Sequence, residues 1–386
     1  MKVCHIWQNF LPLEIGGLER YILTLSDYLH QQNPYMHFLL LTDKSTVPIL
    51  QLQKIPKRQK FNSLEVYRLG PSLISVLRGV FLHSFHLKFK FLDKLFTIGL
   101  YREAASWRET RDVDIFHIHG IWEPQYPIIG SLLSQHFHRP LVVSLHGDVI
   151  GPPYGMSIDT AEMINLLNYA NIITTFSKDI LHILRELGLE HKSYLIPNFI
   201  DTKKFTRQVP AIDTHGSRIV MVSRLDAFKD PITPILAFRI VKKEVPEATF
   251  KVVGYGPLYG YLTELVRKLN LQDSVILAGK HFNVRKFLWD SDVFVATKSY
   301  ITVLEAWAAG LPVVAPKFGI LKEIISDNDD GILVPPGDVK QLATALIRLL
   351  KDENLRKKLV ISGRQKVMKY DIRCVAQQIA NIYNSL

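Results

Sequence analysis

The sequence predicts an α/β protein built from two doubly wound, Rossmann-like domains that face a central cleft. Short apolar runs rich in β-branched residues alternate with helix-length amphipathic runs, and this alternation occurs twice along the chain. The length of 386 residues suits two domains of roughly 190 residues each. Strands that are apolar throughout are typical of parallel sheets covered by helices on both faces.

The predicted elements follow this alternation from one end of the chain to the other. Strands are predicted at 2–7, 36–42, 64–69, 113–118, 140–145, 171–175, 193–196, 218–223, 248–253, 274–278, 292–296, 311–315 and 331–334. Helices are predicted at 17–31, 124–137, 178–187, 232–244, 258–269, 302–310, 338–350, 354–368 and 371–385.

The domain boundary is predicted from a polar, turn-rich stretch at 197–217, after which a strand begins at Arg218. We assign 1–205 to a first domain and 206–370 to a second domain. Residues 371–386 are expected to form a terminal helix that packs back on the first domain.

The composition excludes several classes of protein. It is 47% hydrophobic and 22% charged, which argues against disorder and low-complexity fibres. The two cysteines, Cys4 and Cys374, are too few for a disulfide framework or a four-thiolate zinc site, so we expect a reducing compartment. No run of about 18 apolar residues could cross a bilayer, and the apolar run 2–7 is interpreted as a strand and not as a secretory signal.

The net charge of +11 would suit nucleic acid, an anionic membrane or a phosphorylated small molecule. The charge is unevenly distributed. Residues 51–111 contain 12 basic and four acidic side chains, and residues 206–386 contain 26 and 18. The basic character therefore lies in one segment of the first half and across the second half.

Ligands of such folds bind beyond the carboxyl ends of the strands, so unusual residues at those ends are the candidates for a site. Gly16 and Gly17 open a predicted helix, where backbone N–H groups can approach an anion, although a structural turn is the simpler interpretation. A Gly-x-Gly-x-x-Gly fingerprint is missing, which disfavours a dinucleotide-dependent oxidoreductase.

Three histidines follow strands in the first half. His117 and His119 end one predicted strand, and His146 ends the next. Local hydrogen bonding explains them most simply. A zinc site would need an arbitrarily chosen third ligand, and the place of His146 before Gly147 favours a role in the cleft.

Two cations follow the first strand of the second half. Arg224 offers a bidentate fork and Lys229 a point charge, a suitable pair for a diphosphate, although two solvated surface cations are the alternative. Further along, Gly254 ends a strand. Glu305 is the one acid of an otherwise apolar helix and requires hydrogen-bond donors if it is buried.

Together these motifs resemble the retaining, nucleotide-sugar-dependent glycosyltransferases of the GT-B fold, and specifically glycosyltransferase family 4. The resemblance covers nearly the whole chain, and the order and spacing of its motifs are specific. It consists of Gly-Gly-Leu-Glu-Arg (16–20), Leu-His-Gly (145–147), Ile-Pro-Asn-Phe-Ile-Asp-Thr-Lys-Lys-Phe (196–205), Ser-Arg-Leu-Asp-Ala-Phe-Lys (223–229), Gly-Tyr-Gly-Pro (254–257), Leu-Glu-Ala-Trp-Ala-Ala-Gly-Leu-Pro-Val-Val-Ala (304–315) and Gly-Ile-Leu-Val-Pro-Pro-Gly-Asp (331–338).

The resemblance implies catalytic roles for His146, Arg224 and Lys229. Arg224 and Lys229 match the pair that neutralises the donor diphosphate, a task for which other transferases use a metal, so neither a metal nor another cofactor is expected. His146 matches the histidine that contacts the donor sugar near the reacting centre. The implied reaction transfers the sugar of a UDP- or GDP-sugar to an acceptor hydroxyl with retention at the anomeric carbon.

The resemblance also implies that 1–205 is the acceptor-side domain and that 206–370 is the nucleotide-sugar-binding domain. It further implies a set of donor-binding positions. Glu305 matches the acid that accepts hydrogen bonds from the ribose hydroxyls, and Gly16 and Gly17 match a loop near the donor phosphates. The remaining positions expected to contact the donor are Gly254, Tyr300, Ile301 and Thr302.

Two departures from the family pattern stand out. Thr297 replaces the acid that the family carries eight positions before Glu305, so the donor-sugar contact is open to three interpretations. A shifted loop supplies that contact, the donor specificity differs, or activity is weak, lost or dependent on a partner chain. Phe199 replaces the usual glycine of the hinge motif and suggests a stiffer or differently packed linker.

Residues 78–108 interleave cations with Phe and Leu, a pattern that suits an amphipathic surface on an anionic bilayer, although a core helix with a basic face is the alternative. Membrane contact would imply a lipid-linked or glycan acceptor. No nucleic-acid motif accompanies the charge, so we expect no nucleic-acid partner. The expected location is the cytoplasm, including the cytoplasmic face of the membrane.

Other function classes remain open at this point. A sugar-nucleotide epimerase of the same fold would release nucleotide without an acceptor, and a non-catalytic or partner-dependent subunit would bind donor without turnover. A glycan phosphorylase would require a lysine-bound pyridoxal cofactor.

Overall fold

The computed structural model describes residues 1–7, 17–43, 55–70, 90–121, 125–146, 160–206, 217–281 and 283–386. Its internal contacts divide the chain into two compact units. Unit 1 comprises Met1–Asn198 and Val375–Leu386, and unit 2 comprises Phe199–Cys374.

Unit 1 contains an eight-stranded sheet in the order β3-β4-β2-β1-β5-β6-β7-β8, in which β3 alone is antiparallel to its neighbour. Its strands are β1 Lys2–Ile6, β2 His37–Asp43, β3 Arg58–Phe61, β4 Leu64–Leu69, β5 Ile115–His119, β6 Leu141–Leu145, β7 Ile172–Thr175 and β8 Ser193–Leu195. Helices connect the parallel strands: α1 Gly17–Gln32, α2 Lys90–Ser106, α3 Arg108–Arg111, α4 Gln125–Phe137, α5 Thr160–Tyr169 and α6 Lys178–Glu186, with a 3₁₀ turn at Glu190–Lys192.

Unit 2 contains a wholly parallel six-stranded sheet in the order β11-β10-β9-β12-β13-β14. Its strands are β9 Arg218–Val222, β10 Thr249–Val253, β11 Val275–Gly279, β12 Val293–Val295, β13 Val313–Pro316 and β14 Ile332–Val334. Its helices are α7 Thr202–Phe205, α8 Ile232–Glu244, α9 Tyr259–Lys268, α10 Arg285–Trp289, α11 Tyr300–Ala309, α12 Leu321–Ile324, α13 Val339–Lys351 and α14 Glu353–Val367, followed by a 3₁₀ turn at Met368–Tyr370.

The last helix, α15 (Ile372–Asn384), begins in unit 2 and continues into unit 1. Just before it, the buried carboxylate of Asp371 accepts hydrogen bonds from the backbone and hydroxyl of Thr202 and from Arg373. Burial raises the pKa of Asp371, but these donors lower it by more, to about 2. Asp371 thus ties together the two segments of unit 2 that lead to unit 1.

The sequence placed the domain boundaries at 205/206 and 370/371, whereas the contacts divide the chain after Asn198 and after Cys374. Helix α7 accounts for part of the difference. The indole N–H of Trp289 donates to the carbonyl of Phe205 at 2.7 Å, which fastens α7 to unit 2.

The fold class predicted from the sequence is confirmed, since both units are α/β with doubly wound sheets. Several described elements were not predicted: strand β3, helices α2 and α5, and the short helices α3, α7, α10 and α12. Strand β3 was not predicted because Arg-Gln-Lys-Phe is a polar, partly exposed edge strand without an apolar pattern. None of the described helices is long and apolar enough to cross a membrane.

Helix α2 covers part of the basic segment 78–108, of which residues 78–89 lie outside the described residues. Phe96, Leu100 and Ala104 lie one helical turn apart and are buried in the core of unit 1. Its Glu103 pairs with Lys57 at 3.0 Å. This part of the segment therefore directs its apolar face inward, as the core-helix alternative expected.

The order of the strands reverses at one point in each sheet. In unit 1 this switch point lies at β1, which pairs with β2 on one side and with β5 on the other. In unit 2 it lies at β9, which pairs with β10 on one side and with β12 on the other. Open α/β sheets bind ligands in a crevice beyond the carboxyl ends of the strands at the switch point. In the unit 1 sheet these strands are β1 and β5, and in the unit 2 sheet they are β9 and β12.

Candidate active site

The two faces of the unit 1 sheet differ in polarity near the switch point. Cys4, Ile6, Phe116, Ile118 and Val143 alternate toward the apolar core. The residues between them face the other way and are buried as well: His5, His117, His119, Ser144 and Thr174. Parallel sheets are usually apolar on both faces, so a buried polar stripe indicates a specific role.

Three imidazoles of this stripe and of the adjoining loop form a hydrogen-bonded chain, which we name the imidazole wire. His5 Nδ1 lies 2.9 Å from His119 Nε2, and His119 Nδ1 lies 3.0 Å from His146 Nε2. His146 also bonds to the side chain of Asn198. The wire runs from the interior of the sheet to the loop after β6, where the sequence placed a reacting centre.

His117 lies beside the wire and does not belong to it. Its ring is 4.1 Å from that of His119, while its Nδ1 meets the hydroxyl of Tyr383 and its Nε2 meets that of Ser144, both at 2.6 Å. Ser144 continues to Thr174, also at 2.6 Å. Since Tyr383 lies on α15, the last helix of the chain contributes to this cluster.

All four histidines are held in the neutral form. Burial lowers the pKa of His5 to about 3, and it lowers the pKa of His117 and His119 well below 6.5, with a further contribution from the neighbouring imidazoles. Burial also lowers the pKa of His146, to about 4, although its bond to Asn198 partly offsets this effect.

The sequence left open a zinc site among these histidines. Nitrogen atoms of His5, His117 and His119 lie within 4.8 Å of one another, a spacing that could hold a metal ion. A metal bound by one nitrogen of each ring would displace the bond of His117 to either Ser144 or Tyr383, and it would bury positive charge among neutral groups, which is costly. We therefore interpret the cluster as a hydrogen-bond network.

The start of α1 lies close to His146. Gly17 is the first residue of α1, and Gly16 lies outside the described residues. Tyr21 places its ring edge-on to that of His146, with centroids 5.0 Å apart, and Glu19 accepts a 2.8 Å hydrogen bond from the indole of Trp7. The structure thus brings the glycine-opened helix and His146 together within unit 1.

In unit 2, the two predicted cations follow β9. Arg224 is exposed, and its guanidinium pairs with Asp226. The other oxygen of Asp226 accepts the backbone N–H of Lys229 at 2.9 Å, and the Lys229 ammonium donates to the carbonyl of Lys298. One carboxylate therefore shapes the loop that carries both cations.

Gly254 holds this loop in place by close packing. It has a φ of +147°, and a Cβ there would lie 1.8 Å from the carbonyl oxygen of Ser223. Its N–H donates to Gly279 at 2.8 Å. A Cβ on Gly256 would likewise lie 2.4 Å from the carbonyl oxygen of Leu225. The glycines thus let the loops after β9 and β10 touch, which gives Gly254 and Gly256 a packing role.

The remaining predicted donor positions lie on α11. Tyr300 begins this helix and is buried, with its ring edge-on to Tyr370 at 6.1 Å. Ile301 and Thr302 are half-buried in the first turn, whose backbone N–H groups make a positive helix end. Glu305 is buried one turn later on the same helix.

The departure at Thr297 has a structural counterpart. Thr297 is buried at the end of β12, and its hydroxyl lies 2.9 Å from that of Ser223 at the end of β9. The position of the family's acid is therefore occupied by a hydroxyl that bridges the switch point of unit 2.

Lys298, next to Thr297, stands between two aromatic rings. Its ammonium lies 5.3 Å from the centroid of Phe228 and 4.7 Å from that of Phe318. Lys229, Thr297 and Lys298 line one pocket at the carboxyl edge of the sheet. Both lysines therefore lie at the carboxyl edge of the unit 2 sheet, where Asp230 and Asp338 line the same pocket.

Sequence reasoning missed His5, Ser144 and Tyr383. The signal for His5 was available, because Lys-Val-Cys-His-Ile alternates in the same way as Ile-Phe-His-Ile-His and so places histidines on one face of adjacent strands. The bond from His117 to Tyr383 joins residues 266 positions apart, a separation at which local pattern carries no information.

Two family models match consecutive parts of the chain. The model described as Glycosyltransferase Family 4 matches residues 15–204, and the model described as Glycosyl transferases group 1 matches residues 202–366. Together they cover nearly all of both units.

Similar proteins include named enzymes and solved structures. N-acetyl-alpha-D-glucosaminyl L-malate synthase of Bacillus anthracis is 25% identical over 75% of this chain and 79% of its own length. Phosphatidyl-myo-inositol mannosyltransferase of Mycolicibacterium smegmatis is 26% identical over 74% and 75%. The structure of Anabaena HepE in complex with UDP-glucose matches at a TM-score of 0.72 and 19% identity over the full length of both chains.

Proposed function

Because the chain belongs to glycosyltransferase family 4 and has the GT-B fold, we propose that it transfers a sugar from a UDP- or GDP-sugar to an acceptor hydroxyl with retention of anomeric configuration. The observation that carries this proposal is the cationic loop after β9. Arg224 and Lys229 follow a strand at the switch point of unit 2, and Asp226 bonds to both of these residues. A doubly charged diphosphate is the ligand that such a pair fits.

The loop supplies the electrostatic part of catalysis. As the bond between the sugar and the diphosphate breaks, negative charge grows on the leaving oxygens. Arg224 can chelate two of these oxygens and Lys229 can approach a third, and both are already held in place, so little reorganisation is needed during the reaction. In this proposal the fixed cations perform the task of a divalent metal, and none is required for the transfer step.

The start of α11 completes the nucleotide site. N–H groups at the first turn, from Tyr300 to Thr302, would meet a phosphate oxygen at the positive helix end. Glu305 is the buried acid of this helix, and the nucleoside ribose would present it with two hydroxyl donors. This assignment follows the match of Glu305 to the family's ribose-binding acid.

The bond changes of the proposed step balance without an external base. The C1–O bond of the donor breaks, and both electrons leave with the diphosphate. The acceptor oxygen bonds to C1 on the same face of an oxocarbenium-like centre, and its proton passes to a diphosphate oxygen. His146 is neutral and lies near this centre in the family match, so its contribution would be to position groups and not to carry charge.

Two observations narrow the substrates. A structural neighbour was crystallised with UDP-glucose, which favours UDP over GDP as the nucleotide of the donor. A related enzyme is named for a phosphatidylinositol acceptor, which favours an acceptor in glycan or glycolipid assembly. Peripheral contact with an anionic membrane through residues 78–108 remains part of the proposal. Because α2 buries its apolar face, such contact would depend on cations more than on inserted side chains.

A donor screen tests the proposal. Thermal shift and nucleotide release are measured with UDP, GDP and a panel of UDP- and GDP-sugars. The proteins compared are the wild type, Lys229→Ala and Lys268→Ala. Lys268→Ala is the control, because it removes an exposed lysine of α9. We expect a UDP-sugar to stabilise the wild type and Lys268→Ala and to lose most of its effect on Lys229→Ala. If no nucleotide sugar stabilises the protein, the donor assignment is wrong.

The chemistry is tested by NMR of the product. Retention requires an α-configured donor to give an α-linked product, and a β-linked product would contradict the proposed step. Donor conversion without any acceptor would instead indicate an epimerase, and binding without turnover would indicate a non-catalytic subunit.

A further inference from the structure

The structure assigns a positioning role to His119, and behind it to His5, in the reaction proposed for this enzyme: the imidazole wire fixes His146 as a neutral ring that carries its proton on Nδ1. This inference rests on the proposed function for its consequence in catalysis. Its structural part rests on the hydrogen bonds of unit 1 alone.

The wire has only two consistent proton arrangements. A neutral imidazole has one N–H donor and one bare nitrogen acceptor, so each ring in a chain of N···N bonds donates once and accepts once. Either all the protons of the wire point toward His146 or all of them point toward His5. The hydrogen-bond partners at the two ends of the chain are the groups that can decide between these arrangements.

The outer end has a partner that accommodates either arrangement. Nε2 of His146 faces His119 at 3.0 Å, and the side chain of His146 also bonds to that of Asn198. An Asn amide can accept through its oxygen or donate through its nitrogen, so it can satisfy His146 in both arrangements. The choice is therefore made at the other end of the wire.

The inner end selects the arrangement in which the protons point toward His146. Nε2 of His5 is buried and has no hydrogen-bond partner among the described residues. A buried N–H without an acceptor is rarer than an unpaired acceptor, so this nitrogen is the bare one and Nδ1 of His5 donates to His119. The inner end therefore gives Nδ1–H rings at all three positions of the wire, and His146 then accepts from His119 through Nε2 and donates to Asn198 through Nδ1.

This arrangement has a consequence for His146. Both of its ring nitrogens are engaged inside unit 1, so the ring does not act as a general base in the transfer step. The wire instead fixes the ring plane of His146 at the point where the chain leaves β6, beside Tyr21. His119 acts through His146 and is a positioning residue.

Substitutions of His119 separate this role from general packing. The amide nitrogen of Asn stands where Nδ1 of His stands, and that of Gln stands where Nε2 stands. His119→Asn can therefore still donate to His146, whereas His119→Gln and His119→Phe cannot. His117→Asn is the matched control, because His117 is equally buried beside His119 but does not contact His146.

The first measurement needs no substrate. Long-range ¹H–¹⁵N spectra of histidine-labelled protein at pH 7.5 report the tautomer of each ring, with assignments from single variants. We expect Nδ1–H signals for His5, His119 and His146. We expect the His146 signal to persist in His119→Asn and His117→Asn and to shift or broaden in His119→Gln and His119→Phe. An Nε2–H signal for His146 in the wild type would overturn the wire's direction and with it the inference.

The second measurement concerns the reaction. Loss of the wire should lower kcat about 10- to 100-fold with little change in the donor KM, since a misplaced group near the reacting centre costs turnover more than binding. His119→Asn should recover most of this loss. If His119→Phe retains full kcat, His119 has no positioning role. If the wild type turns over no donor at all, the proposed function fails, while the tautomer spectra still decide the structure of the wire.

Discussion

The two sheets share one architecture but place opposite chemistry at their switch points. In unit 1 the crevice between β1 and β5 is lined by buried imidazoles that are neutral and bonded to one another. In unit 2 the crevice between β9 and β12 is bordered by Arg224 and Lys229, which a single carboxylate holds in place. The comparison teaches that the topology fixes where a site lies, whereas the side chains decide whether that site supplies charge or orientation.

The largest expected effect concerns stability at low pH, and it should be confined to unit 1. The four histidines have pKa values below 6.5 in the folded state, about 4 for His146 and about 3 for His5. Below pH 6.5 the unfolded chain binds protons that the folded chain does not, so stability is complete above that pH and falls as the pH drops toward 4. At pH 5.5 the loss is about 1.4 kcal/mol per histidine, or about 6 kcal/mol in all.

Pulse proteolysis in urea at pH 7.5 and pH 5.5, read by mass spectrometry, locates the loss. Unit 2 has no buried histidine among its described residues, and the pKa of its buried Asp371 is too low to titrate in this range. We expect the urea midpoint of unit 1 alone to fall. An equal fall in both units would contradict the contrast between them.

The second prediction concerns charge in unit 2. Lys229→Ala should reduce kcat/KM for the preferred nucleotide sugar by about 10²- to 10³-fold, because a fixed cation that stabilises the leaving diphosphate is lost. The change in kcat/KM is measured by steady-state kinetics at low ionic strength. Lys268→Ala should stay within about twofold of the wild type, and an equal loss in both variants would indicate a general effect of surface charge.

The third prediction concerns the contact that positions the cationic loop. Gly254→Ala places a Cβ against the Ser223 carbonyl at a φ of +147°, so it should destabilise unit 2 by about 2 to 4 kcal/mol. Gly260→Ala is its control, since a Cβ there meets nothing within 4 Å and lies in α9. That control should be neutral or stabilising by about 0.5 kcal/mol. Equal urea midpoints for the two variants would show that the close approach of the loops is unimportant.

The smallest predicted effect concerns Thr297. Thr297→Val removes the hydroxyl bond to Ser223 and should cost about 1 kcal/mol, measured by urea unfolding. Thr263→Val, which removes an exposed hydroxyl bond on α9, should change stability by less than about 0.5 kcal/mol. A Thr297→Val protein as stable as the wild type would mean that the bridge across the switch point does not stabilise unit 2.

The sequence supported the fold class and the cationic site for a shared reason. Alternating strands and helices leave a strong local pattern, and residues that follow a parallel strand must lie at its carboxyl edge. Arg224 and Lys229 could thus be placed without knowledge of their contacts. The close packing of Gly254 against Ser223 was not predicted, because it depends on the loop that lies opposite, which the local sequence does not reveal.

The imidazole wire could be predicted only in part. His119 and His146 stood out as strand-end residues, whereas His5 lies in a run that was interpreted by its apolar neighbours. Which nitrogen faces which partner depends on side-chain geometry across three strands, and Tyr383 reaches His117 from the other end of the chain. The direction of the wire therefore required atomic distances and the hydrogen-bond environment at its inner end.

The most direct test of the central claim compares the binding of UDP and uridine by titration calorimetry. If the loop after β9 holds a diphosphate, UDP should bind the wild type about 100-fold more tightly than uridine, since two charge-assisted contacts of about 1.5 kcal/mol each depend on the phosphates. In Arg224→Ala/Lys229→Ala this preference should fall to a few-fold while uridine affinity is unchanged. A preference for UDP that survives the double substitution would contradict the account.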